Sequence, residues 1–175
     1  MSTVHFSSLP WNRNRPRVLV VACSDGRLQQ NLDEFLTGQL GITDYDRLYA
    51  PGGPGALAGS GLDYLRGSQY QQDLEFLLEV HRVEEVLLVF HGPARGGPAP
   101  DGPVESLCAG YQRKMPFATV EQIHAQQEED ARRVIEACRA WSPVVHCRVY
   151  RCEVDGKDRI QFHQLEVAAQ GQGGA

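Results

Sequence analysis

Apolar residues along this chain fall into two kinds of stretch. Arg17 to Ala22 (RVLVVA) and Glu85 to Phe90 (EVLLVF) are nearly unbroken apolar, β-branched runs. Runs of strand length with no polar alternation fit strands buried on both faces, as in a parallel sheet. Between and after them the apolar residues recur at helical spacing. Leu32, Phe35, Leu36 and Leu40 predict one helix, which Gly41 can stop. Tyr70, Leu74, Leu77, Leu78 and His81 predict a second. Ile123, Val134, Ile135, Cys138 and Trp141 predict a third, opened by a Thr119–Gln122 capping box. Arg47 to Ala50 reads as a short strand that Pro51-Gly52-Gly53-Pro54-Gly55 ends. Val144 to Val154 and Arg159 to Leu165, joined at Asp155-Gly156, read as a closing hairpin. Residues 91–103 are rich in Gly and Pro and read as loop.

Strands alternating with helices predict an α/β fold with a mostly parallel sheet covered on both faces. Residues 1–14 read as a polar N-terminal arm, 15–166 as the domain and 167–175 as a flexible tail. The chain of 175 residues suits one domain. Its 42% hydrophobic and 22% charged residues are ordinary for a globular protein. A net charge of -5 argues against a nucleic-acid partner, which calls for a basic excess. No apolar run approaches the roughly 18 residues of a membrane span, and the first ten residues lack a signal-peptide pattern. The five cysteines are odd in number, so reduced thiols in a cytoplasmic protein are expected.

Ligands in open α/β sheets bind beyond the carboxyl ends of the strands. Three loops belong there: Cys23 to Arg27, Pro51 to Gly55 and His91 to Gly97. The first reads Cys23-Ser24-Asp25-Gly26-Arg27 and follows a buried strand directly. An arginine can hold a carboxylate bidentately and fix its orientation. His91 directly follows the other buried run, and adjacent parallel strands would bring it beside Cys23. Cysteine and histidine are the commonest zinc ligands.

The C-x-D-x-R pattern after the first strand, followed by a strand that ends in histidine, resembles the β-class carbonic anhydrases. The Gly-rich turn after the second strand and the order of the elements are similar too, over about residues 15–166. The resemblance implies a β-carbonic-anhydrase-like α/β fold with a C-terminal hairpin, acting as a homodimer or higher homo-oligomer. It also implies zinc held by two Cys and one His, with a fourth position open for the hydration of carbon dioxide. Carried over, Cys23 and His91 are metal ligands, and Asp25 and Arg27 are the catalytic pair.

The family's second motif is H-x-x-C, and here Ala94 stands where the cysteine belongs. A methyl group has no lone pair to give. The next residue is Arg95, whose charge would oppose a metal ion and attract an anion. The expectation is therefore an incomplete, weak zinc site converted to binding an anion or small metabolite. Arg27, Arg95 and the amides of Gly52, Gly53 and Gly96 would hold bicarbonate, phosphate or a carboxylate. Two alternatives stay open. One is a working zinc lyase with Asp25 or an unseen group as third ligand. The other is an enzyme that uses Cys23 as nucleophile and His91 as base. Cys108, about one turn into the segment after the loop, is another candidate third ligand, but nothing in its spacing directs it to the site.

The remaining candidates have plainer readings. His146, Cys147 and Cys152 lie on a strand where neighbours face opposite ways, so core packing is expected rather than a second metal site. His81 reads as a core histidine, and His124 and His163 carry no signal. Glu128, Glu129 and Asp130 read as a solvated helix surface. Neither G-x-x-x-x-G-K-[ST] nor G-x-G-x-x-G occurs, so a nucleotide site lacks support.

Overall fold

A computed structural model describes residues 4–58, 64–93, 108–155 and 157–167. In chain order the elements are β1 (Val18–Cys23), α1 (Gln29–Glu34), β2 (Asp46–Ala50), α2 (Tyr64–Val80), β3 (Glu85–Pro93), α3 (Ala109–Lys114), α4 (Val120–Trp141), β4 (His146–Val154) and β5 (Ile160–Leu165). A wider π-helical turn over Phe35–Gln39 prolongs α1, and one 3-10 turn covers Gly53–Ala56. The five strands form one sheet in the order β2-β1-β3-β4-β5. The first four run parallel and β5 pairs antiparallel to β4. This is the mostly parallel α/β sheet with a closing hairpin that the apolar pattern predicts.

The continuous runs are apolar because both sides of the sheet are covered. Leu19, Val21 and Cys23 of β1 face a core built with Leu74 and Leu78 of α2 and with Ile123, Val134 and Ile135 of α4. Val20 and Ala22, pointing the other way, pack with Val89, Tyr150 and the α1 residues Leu32 and Leu36. Phe35 extends this second core by stacking on Phe162, ring centroids 4.1 Å apart, and so ties α1 to the hairpin.

Two boundaries differ from expectation. The strand that carries His91 does not end there. It continues through Gly92 to Pro93 because β4 runs alongside it, pairing His91 with Cys152 and Pro93 with Val154. Asp130 is not on a solvated helix face. It is 0% exposed. Ile123, Gln127, Asp130 and Val134 share one buried stripe of α4, which includes polar as well as apolar residues. Acidic neighbours in sequence hid that period. Glu128, next in the run, reaches the buried Arg151.

The capping box forms as expected. The Gln122 amide donates to the Thr119 hydroxyl oxygen, and the Thr119 amide donates to Gln122 Oε1. Thr119→Ala removes the side-chain half of this exchange and is expected to lower stability by about 1 kcal/mol, with Thr119→Ser retaining it, as read from urea unfolding midpoints.

Candidate metal centre

The topology reverses at β1. The chain leaves β1 for β2 through α1 on one face and returns to β3 through α2 on the other. A crevice opens where neighbouring strands send their connections to opposite sides. The parallel register, Ala22 against Val89, brings the carboxyl ends of β1 and β3 level. Cys23 closes β1 there, and His91 is 4% exposed at the same end of β3.

The loop after Cys23 is tightly bonded. The Ser24 amide donates to the Ala50 carbonyl at 3.1 Å, and Gln29 Nε2 donates to the carbonyls of Cys23 at 3.1 Å and Asp25 at 3.2 Å. Arg27 wraps the Asp25 carboxylate. Its Nε donates to Oδ1 at 3.0 Å, its Nη2 to Oδ2 at 2.6 Å and its backbone amide to Oδ1 at 3.0 Å. These bonds hold the Asp25 carboxyl down to about 2, against a smaller opposing effect of burial. Asp25 is thus an ionised, oriented acceptor, and Arg27 is committed to it.

The Gly52–Gly53 turn lies directly on this loop. Gly52 has φ 95° and Gly53 has φ 58°, and a Cβ on Gly53 would sit 2.9 Å from the Cys23 backbone nitrogen. Only glycine takes that conformation at that distance without strain. The turn sets the Gly52 amide near the Cys23 sulfur, where it favours the thiolate.

The third donor comes from Cys108, just before α3. Its Sγ lies 3.9 Å from Cys23 Sγ. The donor atoms of Cys23, His91 and Cys108 all lie within 4.8 Å of one another. Among the described residues no other trio of histidine, cysteine or carboxylate donors converges in this way. In a tetrahedral zinc site with Zn–S distances of about 2.3 Å, two sulfurs stand about 3.8 Å apart, so the observed spacing fits the ion. His91 Nε2 is buried and completes no hydrogen bond of normal geometry among the described residues, as a nitrogen kept for a metal would be. The two sulfurs are near enough for one thiol to donate to the other. Hydrogen bonding from Cys108, with help from the nearby His91, lowers the Cys23 pKa, and the same pairing together with burial raises that of Cys108. The nearby backbone amides of Tyr111 and Gly110 work the other way and favour the Cys108 thiolate.

Behind His91 lies a buried polar chain. Gln127 Nε2 donates to the His91 carbonyl at 3.2 Å, and Arg151 Nε donates to Gln127 Oε1 at 3.0 Å. Arg151 is 3% exposed and meets Glu128 at 3.1 Å and Glu153 at 3.5 Å. An arginine so deeply buried is stable only with acceptors on all sides.

Of the residues singled out in the sequence, Cys23, His91, Asp25, Arg27, Gly52 and Gly53 come together here. Ala94, Arg95 and Gly96 lie outside the described residues. Cys152 is buried across from His91 in β4, where burial pushes its thiol up to about 12, and it is not one of the three converging donors. Cys147 packs with Cys138 in the core, and His146 is exposed, so those strand neighbours do face opposite ways. His81 Nδ1 bonds Asp46 at 2.7 Å. Sequence reading weighed Cys108 and set it aside, and it missed Gln127, Arg151 and Gln29. The available signal for Cys108 was a cysteine standing at the close of a Gly/Pro-rich stretch and at the start of a helix.

No protein-family model and no curated protein matches the chain. The solved structures that the chain is similar to include β-carbonic anhydrases. A tetrameric enzyme of the filamentous ascomycete Sordaria macrospora is 15% identical, with 87% of this chain and 84% of that chain covered, at a TM-score of 0.41. Isoform I of Trichomonas vaginalis is 12% identical over 89% of this chain and 87% of its own, at 0.42. The wild-type enzyme of Aspergillus fumigatus is 15% identical over 91% and 95%, also at 0.42. No helix among the described residues is long and apolar enough to cross a membrane.

Gln127→Leu leaves the His91 carbonyl and Arg151 Nε without their partners. The variant is expected to be less stable by about 1–3 kcal/mol in urea unfolding, whereas an unchanged midpoint would show that the chain behind His91 is dispensable.

Proposed function

We propose that this protein is a zinc-dependent carbonic anhydrase in which Cys23, His91 and Cys108 hold the metal. The observation that carries the reading is the convergence of two sulfurs and one imidazole nitrogen within 4.8 Å. Three protein ligands of these types with a fourth corner open make a catalytic zinc set. Cys108 takes the place left by Ala94, so the donor count is restored from a different element. Bound zinc supplies the Lewis acidity that activates a water for addition to carbon dioxide.

The protein's own groups do the rest. Two thiolates and one neutral imidazole match the charge of a divalent ion. The amides of Gly52, Gly110 and Tyr111 favour the thiolate form of the sulfurs. Asp25, ionised at neutral pH and clamped by Arg27, can accept a hydrogen bond from a water in the open corner and fix its orientation. The C-x-D-x-R resemblance supports that role. A narrow apolar hollow lined by Ala22, Leu28, Leu32, Val89, Cys152 and Phe162 adjoins Cys23 and His91 and keeps bulk water off this side of the site.

The metal-free alternative is a pocket for bicarbonate, phosphate or a carboxylate. It draws on Arg95 and Gly96, and on an Arg27 that Asp25 already occupies. A homodimer fits the zinc reading, as the resemblance implies. Four large apolar side chains of the N-terminal segment, Val4, Phe6, Leu9 and Trp11, are 66% to 87% exposed, and a second copy of the chain could cover them.

Purified protein is expected to carry stoichiometric zinc by elemental analysis and to hydrate carbon dioxide in a stopped-flow assay. Cys23→Ser should lose both. Asp25→Asn should keep the zinc and lose about 10- to 100-fold in hydration rate. Protein that neither retains nor takes up zinc, yet binds bicarbonate or phosphate, would replace this reading with the anion pocket.

A further inference from the structure

The two strand-borne donors are placed by the sheet, but Cys108 stands outside it. It precedes α3, a helix of 6 residues. A helix that short has little stability of its own and must be held by packing. Two contacts hold it. First, Gly110 approaches Gly52 so closely that a Cβ at 110 would lie 2.8 Å from Gly52 Cα. The turn whose amide serves the Cys23 sulfur is thus seated on the helix that carries the other sulfur. Second, Tyr111 is 3% exposed and crosses Gly55, where any Cβ would overlap its hydroxyl.

The Tyr111 hydroxyl donates to Asp130 Oδ2 at 2.6 Å. Asp130 also receives Gln126 Nε2 at 2.8 Å, and Lys114 Nζ stands 3.9 Å away. A carboxylate that is 0% exposed is a costly way to anchor a ring that apolar packing alone would keep buried. What it adds is direction. A hydrogen bond fixes the ring end and therefore the rotation of α3, and with it the bearing of Cys108 three residues upstream.

We propose that Tyr111 and Asp130 are a positioning pair that holds Cys108 Sγ at ligating distance from Cys23 and His91. The proposal rests on the zinc reading and goes beyond it, because neither residue touches the metal. The hydrogen bond joins α3 to α4, and α4 also supports His91 through Gln127. One helix thereby references two of the three donors.

The test measures zinc affinity of the full chain by competition with a chromogenic chelator, and the thiolate-to-metal charge-transfer band of the cobalt-substituted protein. Tyr111→Phe is expected to weaken zinc about 10- to 100-fold and to diminish the cobalt band. Asp130→Ala should do the same. Asp130→Asn, whose amide oxygen still accepts from Tyr111, should restore most of the affinity. Gly110→Ala reaches the same endpoint through the other contact and serves where Tyr111→Phe does not fold. Parental affinity in Tyr111→Phe, with only the unfolding midpoint of the metal-free protein lowered, would overturn the proposal and leave the pair a packing contact. Cys108→Ser separates the two levels. Loss of zinc in that variant upholds the metal reading whatever Tyr111→Phe does, and full affinity in it would overturn the metal reading itself.

Discussion

The parallel pairing of β1 with β3 is the constraint on which the site depends. Cys23 and His91 meet because Ala22 lies against Val89 in the register, one residue before the first and two before the second. That pairing is stable because both faces of the sheet are buried, one under α1 and the other under α2 and α4. A slip of one residue would turn every core side chain of β1 to the opposite face. The hydrophobic effect that sets the register therefore also sets the separation of the two strand-borne donors.

Around those donors the protein balances charge in a place with little water. Two thiols, an imidazole, a carboxylate and two arginines sit within a few residues of the strand ends. Asp25 is engaged by Arg27, Arg151 by Gln127, Glu128 and Glu153, and each sulfur by the other. Polar groups in such surroundings become rigid when satisfied and destabilising when not. This explains why the polar chain on α4 lies directly behind His91 and not on the helix's outer face.

Much of this was legible in the residues. Continuous apolar runs marked β1 and β3, and a strand end is where chemistry-bearing residues such as Cys23, Asp25 and His91 belong. The capping box marked the start of α4. The remainder was hidden for physical reasons. Cys108 lies in a stretch with no period, beyond a Gly/Pro-rich segment, and its helix is too short to show a stripe. Asp130 sat in an acidic run that reads as surface, although its spacing from Ile123, Gln127 and Val134 is that of a buried face. Its partner, the Tyr111 hydroxyl, comes from another helix and leaves no mark on the local pattern. Reading outward from Ala94 alone undercounted the donors, because a ligand is defined by where its atom arrives and not by its distance along the chain.

The separate origin of the third sulfur has a consequence for how this sequence can vary over evolutionary time. In H-x-x-C both donors ride on one short piece of backbone, so an insertion or deletion between them destroys the set. Here the contacts that seat the helix behind Cys108 lie at Gly110 and Tyr111. A substitution at Gly110 or Tyr111 would therefore displace one sulfur while the sheet keeps the two strand-borne donors in place. The loop from Cys23 to Arg27 is held more closely, since Cys23, Ser24, Asp25 and Arg27 are each bonded where they stand.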